Sequence, residues 1–298
     1  MAVWKIPGSH FLLDCVKVQY PSVHPIKMQV HSYEPKRFQT NVKFCIIRGS
    51  AILVHKYIKM KQMKNRSVLF AFIILVMGSS CKKTIGEGAT VTEQRSTGNF
   101  TGIELSIPAT VNFSQAPNYK VEISGQQNVL NIIETYVSGS RLVIKIKNKK
   151  KLGRHDAITA TITAPALNSL RVAGSGNLNT SGSLSPTLMN LDISGSGNIT
   201  MDNLATNMLD ANISGSGNIT IATGTATKEK LQISGSGNME LQNIVANKVT
   251  TTTSGSGEMR VHAVQNLAVT ISGSGSVFYK GSPIIATNIS GSGKVGPF

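Results

Sequence analysis

The sequence predicts an all-β protein: a single-stranded parallel β-helix (β-solenoid) with coils of about twenty residues and Gly-Ser-Gly turns. Three observations predict it. The segment ISGSGNIT at Ile193–Thr200 returns unchanged at Ile213–Thr220, ISGSGN returns at Ile233–Asn238, and looser copies begin at Val172, Thr253, Ile271 and Ile289. The first glycines of these motifs are Gly174, Gly195, Gly215, Gly235, Gly255, Gly273 and Gly291, spaced by 21, 20, 20, 20, 18 and 18 residues. Apolar and polar residues alternate on both sides of each motif, as in Leu191, Ile193, Ile199 and Met201 against Asp192 and Thr200. Alternation with period two is the mark of a strand with one buried face. Twenty residues cannot bury such a stripe alone, but stacked coils can.

The turns follow from the same pattern. A coil must swing from one sheet to the next within a few residues. Glycine reaches positive φ without a Cβ clash, and paired glycines let stacked backbones approach closely. The seven first glycines are therefore expected to be structural turn residues. Serine columns flank them, and Asn177, Asn198, Asn218 and Asn238 form a column interrupted at Glu258, Ser276 and Lys294. Stacked identical amides can hydrogen-bond along an axis, as in cross-β ladders.

The chain has 298 residues and a formal net charge of +16. The excess is uneven. Residues before Met63 hold ten Lys/Arg and two acids, whereas the segment from Cys81 onward holds eighteen and twelve. Residues 1–62 show neither alternation nor helical period. They are expected to be an upstream extension of the reading frame, with translation starting at Met63, or else an unusual cytoplasmic extension. Residues 63–80 read as a lipoprotein signal peptide. Lys64 and Arg66 form its basic start, Val68–Met77 its apolar run, and Gly78-Ser79-Ser80 precede Cys81. The apolar run is too short to span a bilayer comfortably. Cys81 is the expected acylation site, and more than one acyl chain gives durable anchoring. Cys15 and Cys45 lie upstream, so a chain beginning at Cys81 would have no internal disulfide.

Residues 81–97 are polar and unpatterned, and are expected to be a tether. Residues 98–298 form the predicted β-helix domain. Its first part alternates at Ile103–Ile107, Val111–Phe113, Tyr119–Ile123, Leu142–Ile146 and Ile158–Thr163. These strands are expected to be less regular coils, the first of them an end cap. Phe278, Tyr279 and Phe298 are expected to cap the other end.

No catalytic, cofactor or metal constellation is evident. CxxC, HExxH, GxSxG and P-loop motifs do not occur. Asp192, Asp202, Asp210, Glu229, Glu240 and Glu258 fall at different positions of the repeat and form no column. Glu104, Glu122, Lys145 and Asp156 lie in the irregular part and carry the alternative reading, a polysaccharide-active enzyme. The basic run Lys145–His155 reads as a solvated loop or an anion-binding patch. No aromatic residue interleaves its charges, which argues against nucleic acid.

The opening FTGIELSIPATVNFSQAPNYKVEISG, followed by ISGSGNIT repeats behind a lipoprotein signal, resembles the family described as "Putative auto-transporter adhesin, head GIN domain" over Gly98–Phe298. The resemblance implies a pectin-lyase-like β-helix without catalytic residues, acting in adhesion. The expected protein is a non-enzymatic outer-membrane lipoprotein, facing the periplasm or the cell surface. Its expected partners are the membrane through Cys81, a glycan or protein of the envelope or host surface, and a second copy. A self-associating structural envelope protein is the remaining reading.

Overall fold

The computed structural model describes residues 83–298, together with a short antiparallel pair, β1 (Ile46–Ile47) and β2 (Ser50–Ala51), in which Ile46 stands opposite Ala51. The expected signal peptide and Cys81 lie outside the described residues, as does the rest of the upstream segment.

The repeats form long strands that pair in parallel with the same positions one coil on. β13 (Asn198–Gly215) pairs with β14 (Asn218–Gly235) from Asn198 opposite Asn218 to Gly215 opposite Gly235, leaving Asp202 and Asn207 without ladder partners. β15 (Asn238–Gly255) and β16 (Glu258–Gly273) continue the stack. Ile193, Ile213 and Ile233 thus lie in one buried column that continues through Thr253 to Ile271. Burying such a side chain contributes roughly 1.5–3 kcal/mol, and the column repeats that contribution coil after coil.

Each regular coil has three faces, where the sequence pattern shows two strands and a turn. In β13 the inward residues are Ile199 and Met201, then Leu204 and Thr206, then Leu209, Ala211 and Ile213. Two successive residues point outward at Asp202-Asn203 and again at Asn207-Met208. Side chains alternate along a straight strand, so each doubled outward position is a corner. The middle face is short, and its inward column reads Leu204, Gly224, Ile244, too variable in size to show as a repeat. The third corner is the glycine turn. Each of the seven turn glycines has φ between 124° and 137°. At Gly215 a Cβ would overlap the carbonyl oxygen of Gly195, which accepts the Ser216 N–H at 2.9 Å.

The first coil in the chain is not the first in the stack. β4 (Gly102–Leu105) lies between β8 (Arg141–Ile146) and β10 (Ser169–Gly174), parallel to both. β5 (Thr110–Gln115) lies likewise between β9 (Thr159–Ala164) and β11 (Asn177–Leu184). The expectation that the first coil caps the solenoid is therefore corrected. β12 (Leu188–Gly195) follows β10 in the stack. The end is closed by antiparallel strands: β7 (Ile133–Ser138) folds back on β8 around Gly139, and β6 (Lys120–Gln126) pairs with β9. A one-turn helix, α1 (Gln127–Leu130), buries Val129 and Leu130 completely between β6 and β7.

The expected tether is also corrected from Thr84 onward. Thr84 bridges Leu152 in parallel, and β3 (Thr90–Gln94) pairs antiparallel with β6. β3 is mostly exposed, so no buried face marks it in the sequence; backbone hydrogen bonds hold it instead. At the far end lie β17 (Ser276–Lys280), β18 (Ile284–Gly291) and β19 (Lys294–Pro297). The expected aromatic cap is formed in part: Tyr279 packs against the core, whereas Phe298 lies against charged side chains. The Phe298 ring lies 5.2 Å from Lys280 Nζ and 5.7 Å from the Arg260 guanidinium, while Ile284 is 77% exposed.

Candidate functional site

The first face of each coil exposes two residues between the turn and the first corner. They form two outward columns. One reads Asn177, Asn198, Asn218, Asn238; beside it stand Asn179, Thr200, Thr220 and Glu240. Coils lie about 4.8 Å apart and the two columns about 7 Å apart, set by the spacing of strands and by two residues of strand rise.

The asparagines form a continuous ladder. Asn198 Nδ2 donates to Asn177 Oδ1 at 2.8 Å, Asn218 to Asn198 at 2.9 Å, and Asn238 to Asn218 at 3.1 Å. The ladder ends where Asn238 Oδ1 accepts the backbone N–H of Glu258 at 3.2 Å. An amide has two N–H donors and two oxygen lone pairs. Within the ladder each central amide uses one of each, leaving a donor and an acceptor. The adjoining column has its own link, Asn179 Nδ2 to Asn112 Oδ1 at 3.1 Å. Together the columns line a shallow groove of about 530 Å³ that runs from Thr110 to Glu240.

Charge lies at the two ends of this face: Glu122 continues the Asn179 column beyond Asn112 and Thr161 at the near end, and Glu240, Glu258 and Arg260 stand at the far end. Arg260 Nε lies 2.8 Å from Glu258 and 3.8 Å from Glu240. These carboxylates, the Glu258 hydrogen bond first, raise the guanidinium pKa further above its usual value. The serine hydroxyls beside the turn glycines, such as Ser214 and Ser216, are exposed, and the coil-to-coil ladder runs through asparagine.

The acids of the irregular part do not converge. Glu104 on β4 is 3.0 Å from Arg141, and Glu122 on β6 is 2.9 Å from Lys120. Lys145 is held by Glu134 at 3.7 Å and lies over Tyr136. Asp156 is exposed, its backbone N–H donated to Gln126 Oε1 at 3.0 Å. β4 pairs with β8 and β10, and β6 with β3 and β9, so Glu104 and Glu122 do not stand on paired strands. Among the described residues, no three His, Cys, Asp or Glu side chains are grouped to hold a metal ion.

One acid stands apart. Glu229 is 2% exposed, and both carboxyl oxygens lack a hydrogen-bond partner. It occupies an inward position between Leu209 and Val249, and burial pushes its pKa up to about 8. The sequence carries the signal, since Glu229, Leu231 and Ile233 share one phase of the alternation. Comparing acids for shared columns passes over it, because its column is apolar.

A stacked three-faced parallel β-helix with a groove of ordered amides belongs to the class of repetitive scaffolds that present extended surfaces. The chain belongs to the family described as "Putative auto-transporter adhesin, head GIN domain", whose model matches residues 99–283. It is similar to the crystal structure of a putative adhesin from Bacteroides fragilis, at 25% identity and a TM-score of 0.68, over 72% of this chain and 100% of that one. It also shares the fold of a "putative lipid binding protein" from Parabacteroides distasonis, at 24% identity and a TM-score of 0.62, over 73% of this chain and 100% of that one. A putative adhesin from Parabacteroides merdae matches at 20% identity and a TM-score of 0.61, over 72% of this chain and 99% of that one. No curated protein matches the chain.

Proposed function

We propose that this protein is a non-enzymatic binding module of the cell envelope, held at a membrane by acylation of Cys81, and that it grips an uncharged glycan along the Asn/Thr groove. The observation that carries the reading is the ladder from Asn177 to Asn238. It fixes each amide by a neighbour in the next coil, so little side-chain entropy is left to lose on binding. The free donor and acceptor of each amide recur every coil, which suits a polymer whose hydroxyls also recur. The individual bonds are weak, and affinity would come from their number. Glycoside hydrolysis requires an acid and a base on either side of one bond; the two carboxylates at the far end of the groove, Glu240 and Glu258, both lie against Arg260.

A glycan array tests the ligand. Thr200→Arg with Thr220→Arg fills the groove with charge from outward positions and should abolish binding without lowering the melting temperature. Equal binding by the double variant would place the ligand elsewhere. Incubation with the bound glycan should release no new reducing ends; release would overturn the non-enzymatic reading. Metabolic labelling with a palmitate analogue tests the anchor, and label retained in Cys81→Ala would refute it.

A further inference from the structure

The polar segment after Cys81 does not leave the domain at random. Thr84 N–H donates to the Lys151 carbonyl at 2.8 Å, Gly153 N–H donates to Thr84 at 2.7 Å, and Gly86 N–H donates to Arg154 at 2.8 Å. Cys81 is three residues before Thr84, and three extended residues span at most about 11 Å. Thr84 is therefore within that chain reach of the residue proposed to carry the acyl chains, and the basic loop is paired to Thr84.

The loop is built to present charge. Lys149 takes the left-handed conformation, φ 64°, in a turn closed by Lys150 N–H donating to the Lys147 carbonyl at 3.1 Å. Lys83, Lys147, Lys149, Lys150, Lys151 and Arg154 are all exposed around it. The acids in the same two segments are Glu87 and Asp156, so cations outnumber carboxylates six to two. The Lys147 ammonium donates to the Asn131 carbonyl at 2.7 Å, and no ion pair engages any of the six cations among the described residues. Ile85, 58% exposed, stands on the paired segment itself, beside Gly153.

We infer that Lys83, the Lys147–Lys151 turn, Arg154 and Ile85 form a membrane-docking surface for anionic phospholipid headgroups, which seats the capped end of the solenoid on the bilayer. The inference rests on the proposed anchor at Cys81 for its geometry. The acyl chains hold the protein at the membrane, and a basic patch at the same end adds an attraction to anionic headgroups that sets how the solenoid sits on the surface. Each Lys or Arg near an anionic surface contributes an attraction that falls off within a Debye length. Ile85 adds an apolar contact at headgroup depth. The Asn/Thr groove runs along the stack away from this end, so docking leaves it open.

The experiment uses the full chain with Cys81→Ser, mixed with phosphatidylcholine vesicles with and without phosphatidylglycerol and then sedimented. Binding should require phosphatidylglycerol, weaken with salt, and fall at least about tenfold in Lys150→Gln/Lys151→Gln/Arg154→Gln. These three positions avoid the left-handed Lys149, so the melting temperature should hold. Ile85→Ser is the second variant and should weaken binding to the same vesicles. Equal binding to both vesicle types, or no effect of either variant, overturns the inference. Binding of the loop to a soluble anionic polysaccharide in preference to the vesicles also overturns it. The mass of the native protein at Cys81 reports acylation separately, so an unacylated chain that still prefers anionic vesicles refutes the anchor and not the surface.

Discussion

Asn218 donates its side-chain amide to Asn198 at 2.9 Å, and the two residues occupy the same position of successive coils, twenty residues apart. The bond crosses between coils in the direction of the stack, parallel to the backbone ladder. It makes the polar surface a continuation of the fold's own periodicity.

Asn218→Asp should therefore destabilise the protein by about 1–3 kcal/mol, because it removes the donor to Asn198 and sets two acceptors face to face. Asn218→Ala should cost less than Asn218→Asp at neutral pH, since it leaves no charge in the ladder. Thermal melts of the two variants give the order; a reversed order would mean the ladder does not bond as drawn.

The turn glycines and the turn serines should respond very differently. Gly215→Val places a Cβ against the Gly195 carbonyl at φ 137°, and strain of this kind costs about 1–3 kcal/mol before any overlap is counted. Ser216 is exposed, so Ser216→Ala should stay within about 0.5 kcal/mol. Similar melting temperatures for both would contradict the close approach of coils.

Glu229 should make stability fall as pH rises. Its folded pKa, about 8, lies above the ordinary 4.5, so the folded state holds the proton more tightly than the unfolded state does. The contribution is fully present below pH 4.5 and is lost as pH rises toward 8, at up to about 1.4 kcal/mol per pH unit. Glu229→Leu should abolish this slope and raise the melting temperature most at pH 8. Denaturation across that range measures both, and a wild-type profile flat from pH 5 to pH 8 would show the carboxyl to be solvated.

Leu105→Ala should weaken the whole domain by about 2–5 kcal/mol, the usual cost of a large-to-small change in a core. Leu105 is fully buried and pairs with Ile144 on one side and Val172 on the other. Amide exchange should rise together in β8, β4 and β10. Exchange confined to β4 would fit an end strand, not an interior one.

The coil was legible in the sequence because Ile193, Ile213 and Ile233 keep one phase of the alternation, and the glycine motif marks the turn. The corners at Asp202-Asn203 and Asn207-Met208 were not legible, because a bend made by doubling an outward residue needs no glycine or proline. The order of the first coils was hidden for a different reason. Ile103-Glu104-Leu105 alternates equally well at an edge or in an interior, and its neighbours are chosen by residues some forty and seventy positions later. Of the candidate groove, the Asn column and its capacity to hydrogen-bond along the axis were readable. Its closure by Glu258 and Arg260 depends on side-chain geometry at a position where the repeat is broken.

The placement of β4 and β5 between later strands sets a direction for assembly. Residues 102–164 can form their mutual pairs, β4 with β8 and β5 with β9, before any repeat is added. That block would be finished on one side by antiparallel hairpins and open on the other along β4 and β5. It offers the repeats one exposed edge to pair with, and each further coil presents the same kind of edge to the next. The coils beyond that edge lie in the stack in the order in which the chain is made. Reach is then a matter of repeat number: inserting or deleting twenty residues between Gly195 and Gly255 would lengthen or shorten the grooved face without altering that block.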